Sequence, residues 1–127
     1  MKTPEVHPKG WGEEQWIANS PLYCGKRFLV MKDKKCSLHY HKLKDETFFL
    51  ASGKLYMELP DSLPEDVEPG VERPTASASS VVVMWPGDAV HIPPLMVHRF
   101  TGLEDSVVYE FSTQHFEEDS YRLVKGD

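Results

Sequence analysis

A histidine-rich stretch constrains the fold of this chain more than any other part of its sequence. His39 and His41 are two residues apart, and Glu46 follows five residues after the second histidine. Because alternate side chains share one face of a β-strand, both imidazoles point the same way, and a turn can return Glu46 to that face. A third histidine, His98, follows a Pro-Gly-Asp turn and an Ile-Pro-Pro run. The pattern predicts a strand-built site in which three imidazoles and one carboxylate hold a first-row metal ion, with positions open for water or substrate.

Short segments rich in β-branched and aromatic residues dominate the rest of the chain, and clusters of turn-forming residues separate them. Such segments are typical of strands, and no long helical periodicity accompanies them. The predicted strands are 27–31, 36–41, 47–51, 55–59, 81–85, 89–92, 97–101 and 106–112. Many short strands with regular turns predict an all-β sandwich or barrel.

Two segments do not fit the strand pattern. Residues 60–80 contain four prolines and five acidic residues, which predicts a long acidic loop, either a surface insertion or a lid over the barrel mouth. Residues 9–19 are rich in aromatic side chains, and we expect them to pack across the barrel or onto a partner subunit. Trp11 and Trp16 are then core or interface residues rather than substrate contacts.

Length and charge exclude several classes of protein. A chain of 127 residues suffices for a single domain, 1–127, with one core. The net charge of −6 argues against a nucleic-acid partner, and no apolar run is long enough for a membrane span. The N-terminus lacks the apolar core of a signal peptide, so we expect a cytoplasmic protein in which Cys24 and Cys36 are free thiols. A local positive patch for an anionic small molecule is still possible at Lys42, Lys44, Arg99 and Arg122.

The spacing of the histidines resembles the two sequence motifs of the cupin superfamily. The first motif, G(X)5HXH(X)3,4E(X)6G, is matched at His39, His41, Glu46 and Gly53. The second, G(X)5PXG(X)2H(X)3N, is matched at Gly87, Pro93 and His98. Agreement with two separate motifs is far more specific than a lone HXH. The resemblance implies a single-domain cupin with a jelly-roll-like β-barrel.

Three positions depart from the cupin motifs. Asp33 and Leu95 stand where the motifs have glycine, and Gly102 stands where the second has asparagine. All three shape turns and none is a proposed ligand, so the departures concern loop geometry rather than the metal site.

Parts of the chain also resemble sugar isomerases within this superfamily. The Trp11-Gly12 pair, a following strand and the histidine-rich stretch are similar to the cupin domain of type II mannose-6-phosphate isomerases. The closing segment, 110–122, is similar to the tail of that family and to D-lyxose isomerase-like cupins. The resemblance implies an aldose–ketose isomerase acting on a sugar or sugar phosphate, with one divalent ion (Zn, Mn, Fe, Ni or Co) and a homodimeric assembly.

Aldose–ketose isomerisation moves a proton between adjacent carbons, which requires a base and a positive charge near the developing oxyanion. Glu110, on a predicted late strand, is the candidate base, with Glu46 as a second if it is loosely held. Lys44 is a candidate donor to a substrate oxygen. The alternative interpretations are a surface carboxylate for Glu110 and a solvated loop lysine for Lys44.

Two other functions are compatible with the same motif. The three-histidine, one-glutamate set also occurs in cupin dioxygenases that act on thiols, acireductone and quercetin, and oxygen uptake by an iron or nickel form would favour that class. A cupin that binds a sugar without turnover is the other alternative, and it becomes preferred if no base lies near the metal.

Overall fold

The computed structural model describes residues 1–59 and 81–127, so the predicted acidic loop at 60–80 lies outside the described residues. Within these ranges the chain forms eleven strands: β1 (Glu5–Lys9), β2 (Gly12–Asn19), β3 (Cys24–Val30), β4 (Leu38–Tyr40), β5 (Glu46–Ser52), β6 (Leu55–Glu58), β7 (Val81–Met84), β8 (Ala89–Ile92), β9 (Arg99–Gly102), β10 (Ser106–Ser112) and β11 (Tyr121–Val124). In the described residues no helix is long and apolar enough to cross a membrane.

The strands form three antiparallel sheets that enclose one interior. The largest has the order β1-β2-β3-β10-β5-β8, a second has the order β7-β6-β9, and β11 pairs with β4. Phe28, Phe48 and Leu50 of the large sheet pack in one buried cluster with Met57 and Phe100 of the three-stranded sheet. The predicted all-β jelly-roll architecture is therefore confirmed.

The register of the large sheet arranges its inward side chains in rows across β5, β10 and β3. From one end to the other, the rows are Leu50, Val108 and Phe28; then Phe48, Glu110 and Lys26; then Glu46, Ser112 and Cys24. The inner face thus changes from apolar to polar along the strands. The apolar end provides the core, and the polar end faces the candidate site.

The N-terminal segment is part of the sheet and does not pack across it. Residues 5–19 form the β1–β2 hairpin, which pairs with β3. Trp11 is a core residue as predicted, packed edge-on against Phe28 and Phe100. Trp16 was expected in the core or at an interface, yet it lies half-buried on the wall of the interior cavity. The sequence pattern also missed β11, whose four residues are too short and too mixed in polarity to be recognised.

Two of the cupin-motif departures lie in the left-handed region of backbone conformation. Asp33 and Leu95, which replace motif glycines, have φ of 65° and 72°. Gly53 and Gly87, which match the motifs, have φ of 92° and 96°. A positive φ strains an L-residue, most of all one such as Leu95 whose side chain cannot hydrogen-bond locally.

Candidate metal centre and cavity

Three histidines converge at the polar end of the barrel. His39 lies on β4, His41 follows that strand, and His98 lies just before β9. Their candidate ligand atoms all lie within 4.8 Å of one another. His39 and His98 also exchange both backbone hydrogen bonds, at 3.1 and 2.9 Å. The two motifs are thus joined at the residues that carry the imidazoles.

Each imidazole is oriented by a backbone carbonyl that accepts a hydrogen bond from Nδ1. The contacts join His39 to Ser37 at 2.8 Å, His41 to Asp119 at 2.6 Å and His98 to Met96 at 2.9 Å. A carbonyl can only accept, so the proton of each neutral ring lies on Nδ1 and the lone pair on Nε2. All three rings therefore present a ligand atom to the cluster.

Burial keeps these rings neutral. It is the main cause that lowers the pKa of His39 to about 3, of His41 to about 2 and of His98 to about 4, and neighbouring histidines contribute to the first two shifts. A neutral imidazole is the form that ligates a metal ion, so the cluster is ready to bind at neutral pH.

Glu46 lies beside the cluster. Its Oε1 lies 3.0 Å from His98 Nε2 and 3.7 Å from His41 Nε2. Burial, together with the nearby carboxylate of Glu110, raises the pKa of Glu46 well above its usual value. Among the described residues, neither oxygen of Glu46 has a hydrogen-bond partner, nor has His98 Nε2.

This donor set fits a divalent first-row ion. A carboxylate that faces imidazole lone pairs finds no hydrogen-bond donor there. Burying such an unpaired acceptor costs folding free energy. A cation bound between them removes that cost, and a set of imidazole nitrogen and carboxylate oxygen suits Zn, Mn, Fe, Ni or Co. His39, His41, His98 and Glu46 are therefore the residues that could hold a metal.

A buried ion pair lies next to this cluster. Lys44 Nζ is 3.1 Å from Glu110 Oε2 and 3.9 Å from Glu46 Oε2. Lys44 is thus neither solvated nor in an open loop, and Glu110 faces inward rather than to the surface. Burial alone would raise the pKa of Glu110, but the ammonium groups of Lys44 and Lys26 lower it to about 2, so the carboxylate is ionised. Burial opposes the charge on Lys44, yet Glu110 and Glu46 raise its pKa above the usual value.

Further polar side chains extend the site toward the N-terminal hairpin. Glu14 Oε1 accepts hydrogen bonds from Lys26 Nζ at 3.2 Å and from Trp16 Nε1 at 3.0 Å. Burial raises the pKa of Glu14, but the ammonium groups of Lys26 and Lys9 and the hydrogen bond from Trp16 together outweigh it, and the net shift is downward. The Lys26 ammonium also lies 4.4 Å from the centre of the Trp16 ring. These contacts could not be foreseen, because they depend on the pairing of β2 with β3.

Most of these groups line one cavity of about 360 Å³. Its wall includes His39, His41, Glu46, the Lys44–Glu110 pair and His115, while His98 is fully buried behind it. Its volume is at the small end of the range of about 300–1,000 Å³ that is typical of ligand pockets. Arg122 also lines the cavity, and its backbone pairs in register with His39.

Asp119 is a structural support of the site that the sequence did not identify as such. Its buried carboxylate accepts hydrogen bonds from the backbone N–H groups of Lys42, Leu43 and Lys44, at 2.8 to 3.2 Å. Its own carbonyl holds the His41 ring. Sequence analysis gave no reason to link Asp119 to His41, since 78 residues separate them.

The remaining histidines have separate surroundings. His7 lies on β1, stacked on Trp16 with ring centres 4.0 Å apart. His91 is exposed and pairs with Asp45 at 2.6 Å. His115, which no motif distinguished, enters the cavity wall and contacts Lys44.

The sequence of the chain matches a known protein family. The model of the family described as D-lyxose isomerase matches residues 10–121, which covers nearly all of the sequence. The chain belongs to the D-lyxose isomerase family. No curated protein matches this family member by sequence.

Solved structures agree with this assignment at the level of the fold. An RmlC-like cupin from Shewanella frigidimarina is 13% identical in sequence with a TM-score of 0.69. The alignment covers 91% of this chain and 87% of that cupin. Streptomyces Pac13, solved with uridine, is 15% identical with a TM-score of 0.72, with coverage of 97% and 86%. The capsular polysaccharide assembling protein CapF from Staphylococcus aureus is 15% identical with a TM-score of 0.71, but this chain, 98% of it aligned, spans only 32% of CapF. This D-lyxose isomerase family member therefore has the cupin fold.

Proposed function

We propose that the protein is a metal-dependent aldose–ketose isomerase that acts on a sugar or sugar phosphate. One observation carries the proposal: two histidines of the three-histidine cluster and the adjacent Glu46 line the same cavity as Glu110, whose carboxylate accepts a hydrogen bond from the ammonium group of Lys44. Membership of the D-lyxose isomerase family supports the same reaction. CapF, a capsular polysaccharide assembling protein, supports a carbohydrate substrate on this fold by analogy alone.

The proposed metal ligands are His39, His41, Glu46 and His98. A bound divalent ion would supply positive charge that polarises a carbonyl or hydroxyl oxygen of the sugar. The protein side chains orient that oxygen, exclude water and move the proton.

Glu110 is the proposed base. In the free site its hydrogen bond to Lys44, at 3.1 Å, makes it a weak base, because the ammonium stabilises the carboxylate. A substrate oxygen that accepts the Lys44 hydrogen bond instead weakens that stabilisation and raises the basicity of Glu110. Glu110 then takes the proton from one carbon and returns it to the adjacent one, and the hydroxyl proton on the oxygen that becomes the new carbonyl passes to the oxygen of the former carbonyl. Lys44 stabilises the negative charge that develops on that oxygen by a hydrogen bond.

Hydrogen exchange with solvent tests this proposal. Metal-loaded protein is incubated in D₂O with D-lyxose, D-mannose and their phosphates, and loss of the C1 or C2 proton signal is followed by NMR. We expect exchange with at least one sugar and its disappearance after chelation of the metal. Oxygen consumption without exchange would favour a dioxygenase instead, and sugar binding without exchange would favour a binding module.

A pair of variants tests the role of Glu110. Glu110→Gln preserves the shape of the side chain but cannot accept the proton, so we expect exchange to fall by about 10²–10⁴-fold with the metal retained. The matched control is Glu118→Gln, an exposed carboxylate outside the cavity. Wild-type exchange in Glu110→Gln would show that the base lies elsewhere, with Glu46 the next candidate.

A further inference from the structure

His115 lines the cavity, but it belongs to neither cupin motif and takes no part in the proposed mechanism. It follows β10 and is half-buried, with its ring on the cavity wall. Its Nδ1 lies 2.7 Å from Lys44 Nζ. The same ammonium donates to Glu110 at 3.1 Å, so His115 and the proposed base contact one cation.

This contact determines which ring nitrogen of His115 carries the proton. An ammonium group can only donate, so Nδ1 of His115 must accept. The proton of the neutral ring therefore lies on Nε2. Among the described residues Nε2 has no hydrogen-bond partner, and it is not a fully buried atom, so this N–H is available to a molecule in the cavity.

The N-terminal hairpin holds His115 in this position. Asn19 on β2 donates through Nδ2 to the carbonyl of His115 at 3.0 Å and accepts from its backbone N–H at 2.8 Å. The Trp16 ring contacts the imidazole edge-on, with ring centres 5.0 Å apart. Two backbone hydrogen bonds and an aromatic contact fix both the position and the tilt of the ring, as a preorganised donor requires.

We propose that His115 is a catalytic residue that donates its Nε2–H, as a neutral imidazole, to an oxygen of the sugar in the cavity. The proposal rests on the proposed function and specifies how the same cavity recognises the substrate. A neutral donor suits this place, because a second cation beside Lys44 would be repelled. Burial and the Lys44 ammonium lower the pKa of His115 to about 4, which keeps the ring neutral at physiological pH.

The tautomer is tested first, without any need for activity. Long-range ¹H–¹⁵N correlation spectra of histidine-labelled, metal-loaded protein at neutral pH report which nitrogen of each ring is protonated. We expect His115 to be protonated at Nε2 alone. Protonation at Nδ1, or at both nitrogens, would overturn the proposal.

Three variants then separate donation to the sugar from contact with Lys44. In His115→Asn the amide oxygen can replace Nδ1 as the acceptor for Lys44, but the donor at Nε2 is lost. In His115→Gln the longer amide places an N–H near the position of Nε2. We expect isomerisation to fall by about 10²-fold in the first variant and by less in the second, with unchanged metal content. The matched control is His91→Asn, which removes an exposed histidine outside the cavity.

Binding of a non-reactive polyol separates this proposal from the proposed function. D-arabinitol, the polyol obtained by reducing D-lyxose, is titrated calorimetrically into metal-loaded wild type and His115→Asn. We expect the variant to bind about 10-fold more weakly, whether or not the wild type isomerises any sugar. Equal affinity of the two proteins, or no binding by either, would overturn the role of His115, whereas failure of isomerisation alone would overturn only the proposed reaction.

Discussion

The effect of Glu46 on the stability of the protein depends on whether a metal ion occupies the site. Its two oxygens are buried beside imidazole nitrogens that carry no proton, and the nearest ammonium, Lys44 Nζ, is 3.9 Å away. Such a carboxylate destabilises the metal-free protein, and a metal ion bound as proposed would turn it into a stabilising ligand. The same residue therefore has opposite effects on stability in the two states.

Glu46→Gln tests this reversal. The amide is neutral and can donate to His98 Nε2, so we expect metal-free variant protein to unfold at the same temperature as the wild type or a higher one. Metal affinity should fall by at least about 10²-fold, because a charged ligand is lost. Thermal unfolding with chelator and with added Zn²⁺ measures both effects. A variant that binds Zn²⁺ as tightly as the wild type would show that Glu46 is not a ligand.

Leu95 reduces the stability of the protein for a different reason, which is backbone strain. Its φ of 72° lies in the left-handed region, and its side chain is 56% exposed, so little burial offsets the strain. The backbone N–H of Leu95 donates to the carbonyl of His41 at 2.7 Å, which explains why the turn keeps this geometry.

Replacing Leu95 by glycine should relieve the strain. The left-handed conformation costs an L-residue about 1–2 kcal/mol, and glycine loses about 0.5–1 kcal/mol through its more flexible unfolded state. We expect Leu95→Gly to raise the free energy of unfolding by roughly 0.5–1 kcal/mol. Urea denaturation measures the change, and Leu95→Ala, which keeps the strained Cβ, is the control expected to show no gain. An equal gain in both variants would attribute it to the lost side chain.

At the level of elements, the segment between β10 and β11 fastens the loop that connects His41 to Glu46. Asp119 satisfies three successive N–H groups of that loop and orients His41 through its own carbonyl. The same segment is anchored to β2 by Asn19. Elements from both ends of the chain therefore fix the shape of the central ligand loop.

Asp119→Ala should loosen this loop. It leaves buried N–H groups without an acceptor, and we expect a loss of about 2–4 kcal/mol in the free energy of unfolding. Metal affinity should fall about 10–100-fold although every proposed ligand is intact, as is usual when the support of a ligand is removed. Urea unfolding and competition with a chromophoric chelator give the two values, with Glu118→Ala as the exposed neighbouring control. Unchanged metal affinity would show that the loop keeps its shape without Asp119.

For the whole molecule, the cavity and the histidine cluster at its wall concentrate groups whose protonation differs between the folded and unfolded chain. Four histidines have a folded pKa between about 2 and 4, against 6.5 in the unfolded reference. A depressed folded pKa gives stability that is complete above the unfolded pKa and is lost as pH falls toward the folded one. Glu46, with its raised pKa, acts in the opposite direction, but it is one group against four.

Metal-free protein should therefore lose stability on mild acidification. Between pH 7 and pH 5 the unfolded chain takes up protons on these histidines, whereas the folded chain does not. We expect the free energy of unfolding to fall by at least about 2 kcal/mol over that interval, measured by urea denaturation in the presence of chelator. His98→Gln removes one of the four groups and should reduce the pH dependence. A stability that stays flat from pH 7 to pH 5 would contradict the buried, neutral state of the cluster.

Features that depend on local spacing could be predicted from the amino-acid sequence. Alternation predicted eight of the strands, and two motifs predicted that His39, His41, Glu46 and His98 converge. The strands and each motif taken alone need only neighbours within about a dozen residues, because a strand repeats every two residues and a turn spans a few. That His98 joins the other three residues was implied by the resemblance to both cupin motifs.

The other side chains of the site could be identified only from the tertiary structure. The Lys44–Glu110 pair depends on the register of β10 against β5, and the His115 site depends on Asn19, 96 residues away. The β1–β2 hairpin was invisible as strands, because its inward face carries Glu14 and Trp16 rather than an apolar alternation. Polar residues that face a cavity look like surface residues in sequence, since burial next to a partner depends on contacts between distant strands that no local pattern encodes.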